Sequence, residues 1–242
     1  MLVHGLDWRA EPGQCWVVLG PNGVGKTRLL HTLAGLLPAA AGEIRVNDRP
    51  IGQWSRPRLA RQIALLLQDE APGWWGSVAD YVALGMHPHG HSDAGDPAVL
   101  AALELTGLAG QADQALRTLS GGERQRARLA QTLAQRTPIL LWDEPLNHLD
   151  LRQREATLAL VQALVAGGRT VVLSLHDPAE ARRIGTHALL LYDSGRPRQG
   201  PAGTILDEAT IRELYAIDLP GPAGPPLAAL RALTPEPLAT PR

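Results

Sequence analysis

The run Gly20-Pro21-Asn22-Gly23-Val24-Gly25-Lys26-Thr27 has the spacing G-x-x-x-x-G-K-[ST]. Glycines at these positions let a backbone turn tightly and aim its N–H groups at one centre, which is an anion cradle. The chemistry is nucleotide phosphate binding, with Lys26 reaching the β- and γ-phosphates and Thr27 offering a hydroxyl oxygen to Mg²⁺. A second pair, Asp143-Glu144, ends the apolar run Ile139-Leu140-Leu141-Trp142. Asp143 is placed to hold Mg²⁺ and Glu144 to polarise an attacking water as a general base. The two groups together predict that the chain binds ATP with Mg²⁺ and hydrolyses it.

These residues need elements to position them. The phosphate loop follows a strand at Trp16–Leu19 and opens a helical pattern at Thr27–Leu36, the strand-loop-helix context such a loop requires. Further strands are expected at Ile44–Val46, Ile63–Leu67, Ile139–Trp142, Thr170–Leu173 and Ala188–Leu191. Their continuous rather than alternating hydrophobicity predicts burial on both faces, as in parallel strands between helices. The fold class is therefore α/β. From Asp69 to Arg117 the strand signals stop, and Val78–Leu84, Ala98–Leu105 and Gln111–Leu116 read as short helices broken by the Gly/His/Pro segment Gly85–Pro97. This is an inserted helical lobe, assigned to residues 74–125, with core segments 1–73 and 126–219 and a proline-rich flexible tail over 220–242.

Composition sets limits on partners. A formal charge of -1 and a pI near 6.7 give no overall electrostatic footprint for nucleic acid or an anionic membrane. The single cysteine, Cys15, excludes an internal disulfide framework. The residues from Met1 to Gly5 lack a basic or continuous apolar leader, and no apolar run approaches the roughly 18 residues of a membrane span. A cytoplasmic protein is expected.

The string Leu119-Ser120-Gly121-Gly122-Glu123-Arg124-Gln125 precedes a helical pattern at Gln125–Gln135. A Ser-Gly-Gly cap opening a helix is another anion-binding terminus, yet the chain already has one phosphate cradle. This string resembles the signature sequence of the ATP-binding-cassette (ABC) ATPases, and the resemblance extends from about Leu6 to Leu219. It implies a P-loop NTPase of ABC type with an inserted helical subdomain. It also implies a homodimer in which Ser120, Gly121 and Gly122 of one copy close on the nucleotide of the other. By the same resemblance Gln68 touches the metal and the water, His176 senses the γ-phosphate, and the loop Asn147-His148-Leu149-Asp150 crosses to the partner's site, with Asp150 beside the nucleotide. The family's upstream strand and adenine-stacking aromatic would fall at or before Met1, so the grip on adenine is left unassigned. Trp8 and Trp16 are expected to pack in the core.

The resemblance further implies a separate integral membrane permease, a periplasmic substrate-binding protein acting indirectly, no nucleic acid, and a peripheral location on the inner face of the cell membrane. Strings around Val78–Gly85, Asn147–Leu151 and Ile211–Leu219 resemble the importer branch for iron-siderophores, haem and corrinoids, with the amino terminus leaning toward corrinoid (cobalamin). His87, His89 and His91 alternate in a loop without carboxylate or cysteine, where a solvated turn is expected rather than a metal site. Of Trp74 and Trp75, at least one is expected to line the permease-docking groove, against the reading in which both fill the lobe's core. The alternatives are a soluble, non-transport ABC ATPase or a non-hydrolysing regulator. Against the first stand the single cassette and the absence of coiled-coil heptads; against the second, Glu144 and His176 are both present.

Overall fold

The chain runs through β1 (Cys15–Leu19), α1 (Lys26–Leu33), β2 (Arg45–Val46), β3 (Arg49–Pro50), α2 (Arg56–Ala60) and β4 (Ile63–Leu66). It continues through α3 (Val78–Ala83), α4 (Pro97–Leu105), α5 (Gly121–Ala134), β5 (Ile139–Trp142), α6 (Leu151–Ala166) and β6 (Thr170–Ser174). The last elements are α7 (Pro178–Ile184), β7 (His187–Leu190), β8 (Arg198–Pro201), α8 (Ala202–Ile205) and α9 (Glu208–Leu214). This computed structural model describes residues 3–67 and 74–216, so Gln68 and the stretch 220–242 lie outside the described residues.

Six strands form one sheet in the order β4-β5-β6-β1-β7-β8, parallel except for β8, which pairs antiparallel with β7. The buried strands divide their residues between two cores as the unbroken hydrophobicity predicts. Val17, Leu140, Trp142, Val171 and Leu173 point to one face, and Val18, Leu141 and Val172 to the other. Cys15 starts β1 fully buried, and burial pushes its thiol up to about 12. The first core continues through Ala127, Ala130 and Leu133 of α5 into Val78, Val82, Val99 and Leu103 of α3 and α4. One helix therefore ties the α3/α4 pair to the sheet.

Parallel pairing has a functional consequence. Leu66 aligns with Trp142, Trp142 with Leu173, and Val18 with Ser174. The carboxyl ends of β4, β5, β6 and β1 thus share one edge, where ligands of open α/β sheets bind.

Several expected elements differ. Ile44–Val46 is not a strand of the main sheet: only Arg45 and Val46 are extended, pairing antiparallel with Arg49–Pro50. Asn47 and Asp48, at φ 50° and 57°, make the tight hairpin turn that both residue types tolerate. Gln111–Leu116 does not form a helix, because its carbonyls serve another element. Ala112 and Gln114 accept from the N–H groups of Ala79 and Val78, satisfying the open amino end of α3. The phosphate-loop helix stops at Leu33 rather than Leu36, where Gly35 turns at φ 72°. Helix α5 begins at Gly121, four residues before the apolar pattern becomes visible, because Ser120 and Glu123 form a capping box. The antiparallel edge strand β8, polar in sequence, gives no periodic signal.

Candidate functional site

The phosphate loop leaves the buried end of β1 and is shaped by backbone conformations only glycine adopts freely. Gly20 lies at φ 155°, and a Cβ there would collide with the Leu191 carbonyl oxygen. Gly25, at φ 110°, precedes the first turn of α1. Lys26 is buried, and its ammonium donates to the Gly20 carbonyl at 2.8 Å and the Pro21 carbonyl at 3.2 Å. Burial lowers its pKa, and the carboxylates of Glu144 and Asp143 nearby pull it back up.

Pro21, Asn22, Gly23 and Val24 form the arch of the loop, with Val24 buried against the second core. A cleft of about 740 Å³ opens over the loop, lined by Asn22, Gly23, Gly25, Lys26 and Thr27 on one side and Glu144 and His176 on the other. The sequence motifs at residues 20–27, 144 and 176 therefore converge.

Asp143 and Glu144 follow β5 directly. Asp143 is 1% exposed, and its Oδ1 accepts from the Ser174 hydroxyl at 2.5 Å. Its Oδ2 is buried and has no hydrogen-bond partner among the described residues. An orphaned, buried carboxylate oxygen is costly unless a cation or donor completes it, and a hard oxygen ligand suits Mg²⁺. Glu144 sits at φ 50°, and its N–H donates to Ser174 Oγ at 2.8 Å. Its Oε1 lies 2.6 Å from His176 Nε2, and its Oε2 accepts from the Asn147 amide at 2.5 Å. His176 is half-exposed at the end of β6, facing the cleft.

Ser120, Gly121 and Gly122 stand elsewhere, at the amino end of α5 and not on the walls of this cleft. Ser120 caps the helix by accepting from Glu123 N, while Glu123 accepts from Ser120 N at 2.8 Å and from the Gln111 amide. The backbone hydrogen bond to Ser120, with its hydroxyl second, holds the Glu123 carboxyl below its ordinary range. Gly122 packs so closely on the next loop that a Cβ would lie 2.7 Å from Gln153 Oε1 and 2.9 Å from the His148 carbonyl. Asp150, exposed, caps α6 by accepting from Gln153 N at 2.8 Å. The signature string and the Asn147–Asp150 loop are thus neighbours.

Three groups of the site are not evident from the sequence. Ser174 is fully buried and binds both residues of the Asp143-Glu144 pair. Gln125 is buried and donates to the Pro145 carbonyl at 3.0 Å and the Glu144 carbonyl at 3.4 Å, fastening α5 to the turn after β5. Asn147 touches Glu144 of its own chain. Gln125 carries a signal as the last residue of the signature string and Asn147 as the first of the partner-crossing loop, but neither signal points to its contact here; Ser174 carries none.

Outside the cleft, Trp16 is buried with Trp8 against its edge and His187 stacked on it at 4.7 Å, as core packing predicts. The two adjacent tryptophans part company. Trp74 packs edge-on against Tyr81, while Trp75 is 79% exposed with the Arg117 guanidinium over its ring. His89 binds the Gln135 carbonyl at 2.9 Å and His91 binds Asp96 at 3.0 Å, so a carboxylate does join one member of the histidine run. They serve separate partners, and among the described residues no three His, Cys, Asp or Glu side chains gather as a metal site.

A glycine-shaped phosphate loop, a cleft that sets it opposite Glu144 and His176, and the buried strand-end Asp143 preceding Glu144 define a P-loop nucleotide-binding domain. The sequence matches the ABC transporter family over residues 3–147. The chain belongs to that family, as an ATPase with the ABC-type cassette fold. It is 38% identical over 217 residues to a hemin import ATP-binding protein of Streptomyces coelicolor, covering 88% of this chain and 78% of the relative. A hemin import ATP-binding protein of Shewanella denitrificans is 36% identical over 224 residues, covering 90% and 88%. Among solved structures, an inward-facing metal-chelate type ABC transporter superposes with a TM-score of 0.74 at 28% identity, covering 86% of this chain and 80% of that one. Among the described residues no helix is long and apolar enough to cross a membrane.

Proposed function

We propose that the chain is the ATP-hydrolysing subunit of an importer for a metal chelate, driving a separate integral membrane permease from the inner face of the membrane. The observation that carries this reading is the single cleft in which the phosphate loop, Glu144 and His176 face one another. The relatives' hemin import names favour haem over the corrinoid toward which the sequence leans, with iron-siderophore as the remaining chelate.

The loop N–H groups and the amino end of α1 take the triphosphate. Lys26 exchanges the Gly20 and Pro21 carbonyls for β- and γ-phosphate oxygens. His176 leaves Glu144 for the γ-phosphate, and Glu144 then accepts a proton from the attacking water. Thr27 and Asp143 would hold Mg²⁺, with Gln68 as the third ligand implied by resemblance; the ion, when bound, neutralises charge on the β- and γ-oxygens. Ser120, Gly121 and Gly122 form a helix cap outside their own chain's cleft, which supports a head-to-tail homodimer where each cap closes the partner's nucleotide and each Asp150 loop lies at the seam. The helices of residues 74–125 form the lobe that meets the permease, and exposed Trp75 is the docking anchor. A periplasmic binding protein delivers the cargo.

Glu144→Gln is the test. The purified variant is expected to bind ATP yet hydrolyse it at least about 10²-fold more slowly, and cells carrying it are expected to take up no haem. Near wild-type turnover contradicts the hydrolytic reading; normal haem uptake by a hydrolytically dead variant contradicts the cargo.

A further inference from the structure

The Asn147–Asp150 loop reads from sequence as one that reaches across to a partner, but its first residue turns inward. We propose that Asn147 is a positioning residue for hydrolysis within its own subunit, its side-chain amide aiming the Glu144 carboxylate. The proposal rests on Glu144 being the general base.

The backbone of Glu144 is already fixed. It sits in the left-handed region at φ 50°, which an L-residue occupies only when surroundings hold it there. The holding contacts are Ser174 Oγ on its N–H at 2.8 Å, Asn147 N–H on its carbonyl at 3.2 Å, and Gln125 on the same carbonyl and on that of Pro145. The direction of the side chain must be set separately, and its two oxygens are divided between partners. Oε1 faces His176 at 2.6 Å, and Oε2 takes the Asn147 amide at 2.5 Å.

The two partners differ in kind. His176 is half-exposed in the cleft and must turn to a phosphate that arrives there, which gives up its hold on Oε1. Asn147 stands on the turn that Gln125 fastens to α5, so its contact on Oε2 persists through that exchange. The carboxylate then keeps its direction while Oε1 becomes the acceptor for water. A neutral amide suits this role, because it carries no charge that would bind the carboxylate as a salt bridge and no proton that Glu144 can take. An arginine or lysine would orient the group at the expense of its basicity.

The experiment compares Asn147→Asp and Asn147→Ala with wild type in steady-state ATPase assays, rates normalised to the folded fraction from thermal melts. Asn147→Asp keeps the side chain's shape and its tolerance of this turn but replaces the donor with an acceptor. Both variants are expected to lose at least about 10-fold in kcat with KM for ATP within about twofold, since orientation of the base is lost and nucleotide binding is not. Asn147→Gln, which keeps a donor on a longer arm, is expected to recover part of the rate. A kcat within about twofold of wild type for Asn147→Asp overturns the proposal, as does a rise in KM at constant kcat. Glu144→Gln separates the two failures: if it is inactive while the Asn147 variants are normal, only this inference falls, and if it turns over normally the general-base reading falls first.

Discussion

Ser174→Ala removes one hydroxyl and breaks two contacts at the heart of the site. The hydroxyl donates to Asp143 Oδ1 at 2.5 Å and accepts from Glu144 N–H at 2.8 Å, in a position with no exposure to solvent. A hydrogen bond to a charged group contributes about 1.5–3 kcal/mol and one from a backbone amide about 0.5–1.5 kcal/mol. Asp143 Oδ2 has no partner among the described residues, so removing Ser174 takes away the side-chain donor that supports this buried carboxylate. The expected loss is roughly 2–4 kcal/mol, which for a chain of this size lowers Tm by about 5–15 °C. Calorimetry and urea unfolding of the nucleotide-free protein measure it. Saturating Mg²⁺ is expected to recover part of the loss, because a cation on Asp143 completes the same carboxylate. A destabilisation below about 1 kcal/mol would overturn this derivation, showing that the pair is held by other groups.

The capping box of α5 predicts a pH signature. Hydrogen bonds from Ser120 depress the Glu123 pKa from an ordinary 4.5, so its contribution is complete above that value and is lost as pH falls through the lower folded value. The stability gap between wild type and Glu123→Gln is expected to be widest near neutral pH and to close below pH 4.5 in urea titrations; a gap constant with pH contradicts it. In the phosphate loop, Gly20→Ala places a Cβ against the Leu191 carbonyl in a backbone region that side chains avoid. It is expected to cost about 3 kcal/mol or more and to abolish nucleotide binding, measured by thermal shift with and without ATP; an unchanged Tm would rule out the clash.

What could be read ahead of the structure followed from how local each signal is. The phosphate loop was legible because its glycines, Lys26 and Thr27 occupy adjacent positions, and the strand-end pair because Asp143-Glu144 follows an apolar run without interruption. The parallel strands were legible because burial on both faces leaves no polar alternation. Ser174 was not, since its meaning depends on β6 pairing beside β5, which sets residues 143 and 174 together across a long separation. The Gln111–Leu116 segment had helical composition, but its carbonyls had better use at the start of α3, a tertiary demand that propensity does not carry. The hairpin at Asn47-Asp48 leaves no sequence signal because two-residue strands are too short for a period to register. Gln68 lies outside the described residues, so its part in the site stands on resemblance.

Hydrolysis of ATP at a cleft completed by a second copy of the chain is the proposal on which the rest depends. Sedimentation velocity of Glu144→Gln with Mg²⁺ and ATP probes it without intermediaries, because a nucleotide that is bound and not cleaved should hold the two copies closed. The variant is expected to shift from monomer to dimer on addition of ATP and to stay monomeric with ADP. A variant that binds ATP with full occupancy and remains monomeric would be incompatible with a shared site.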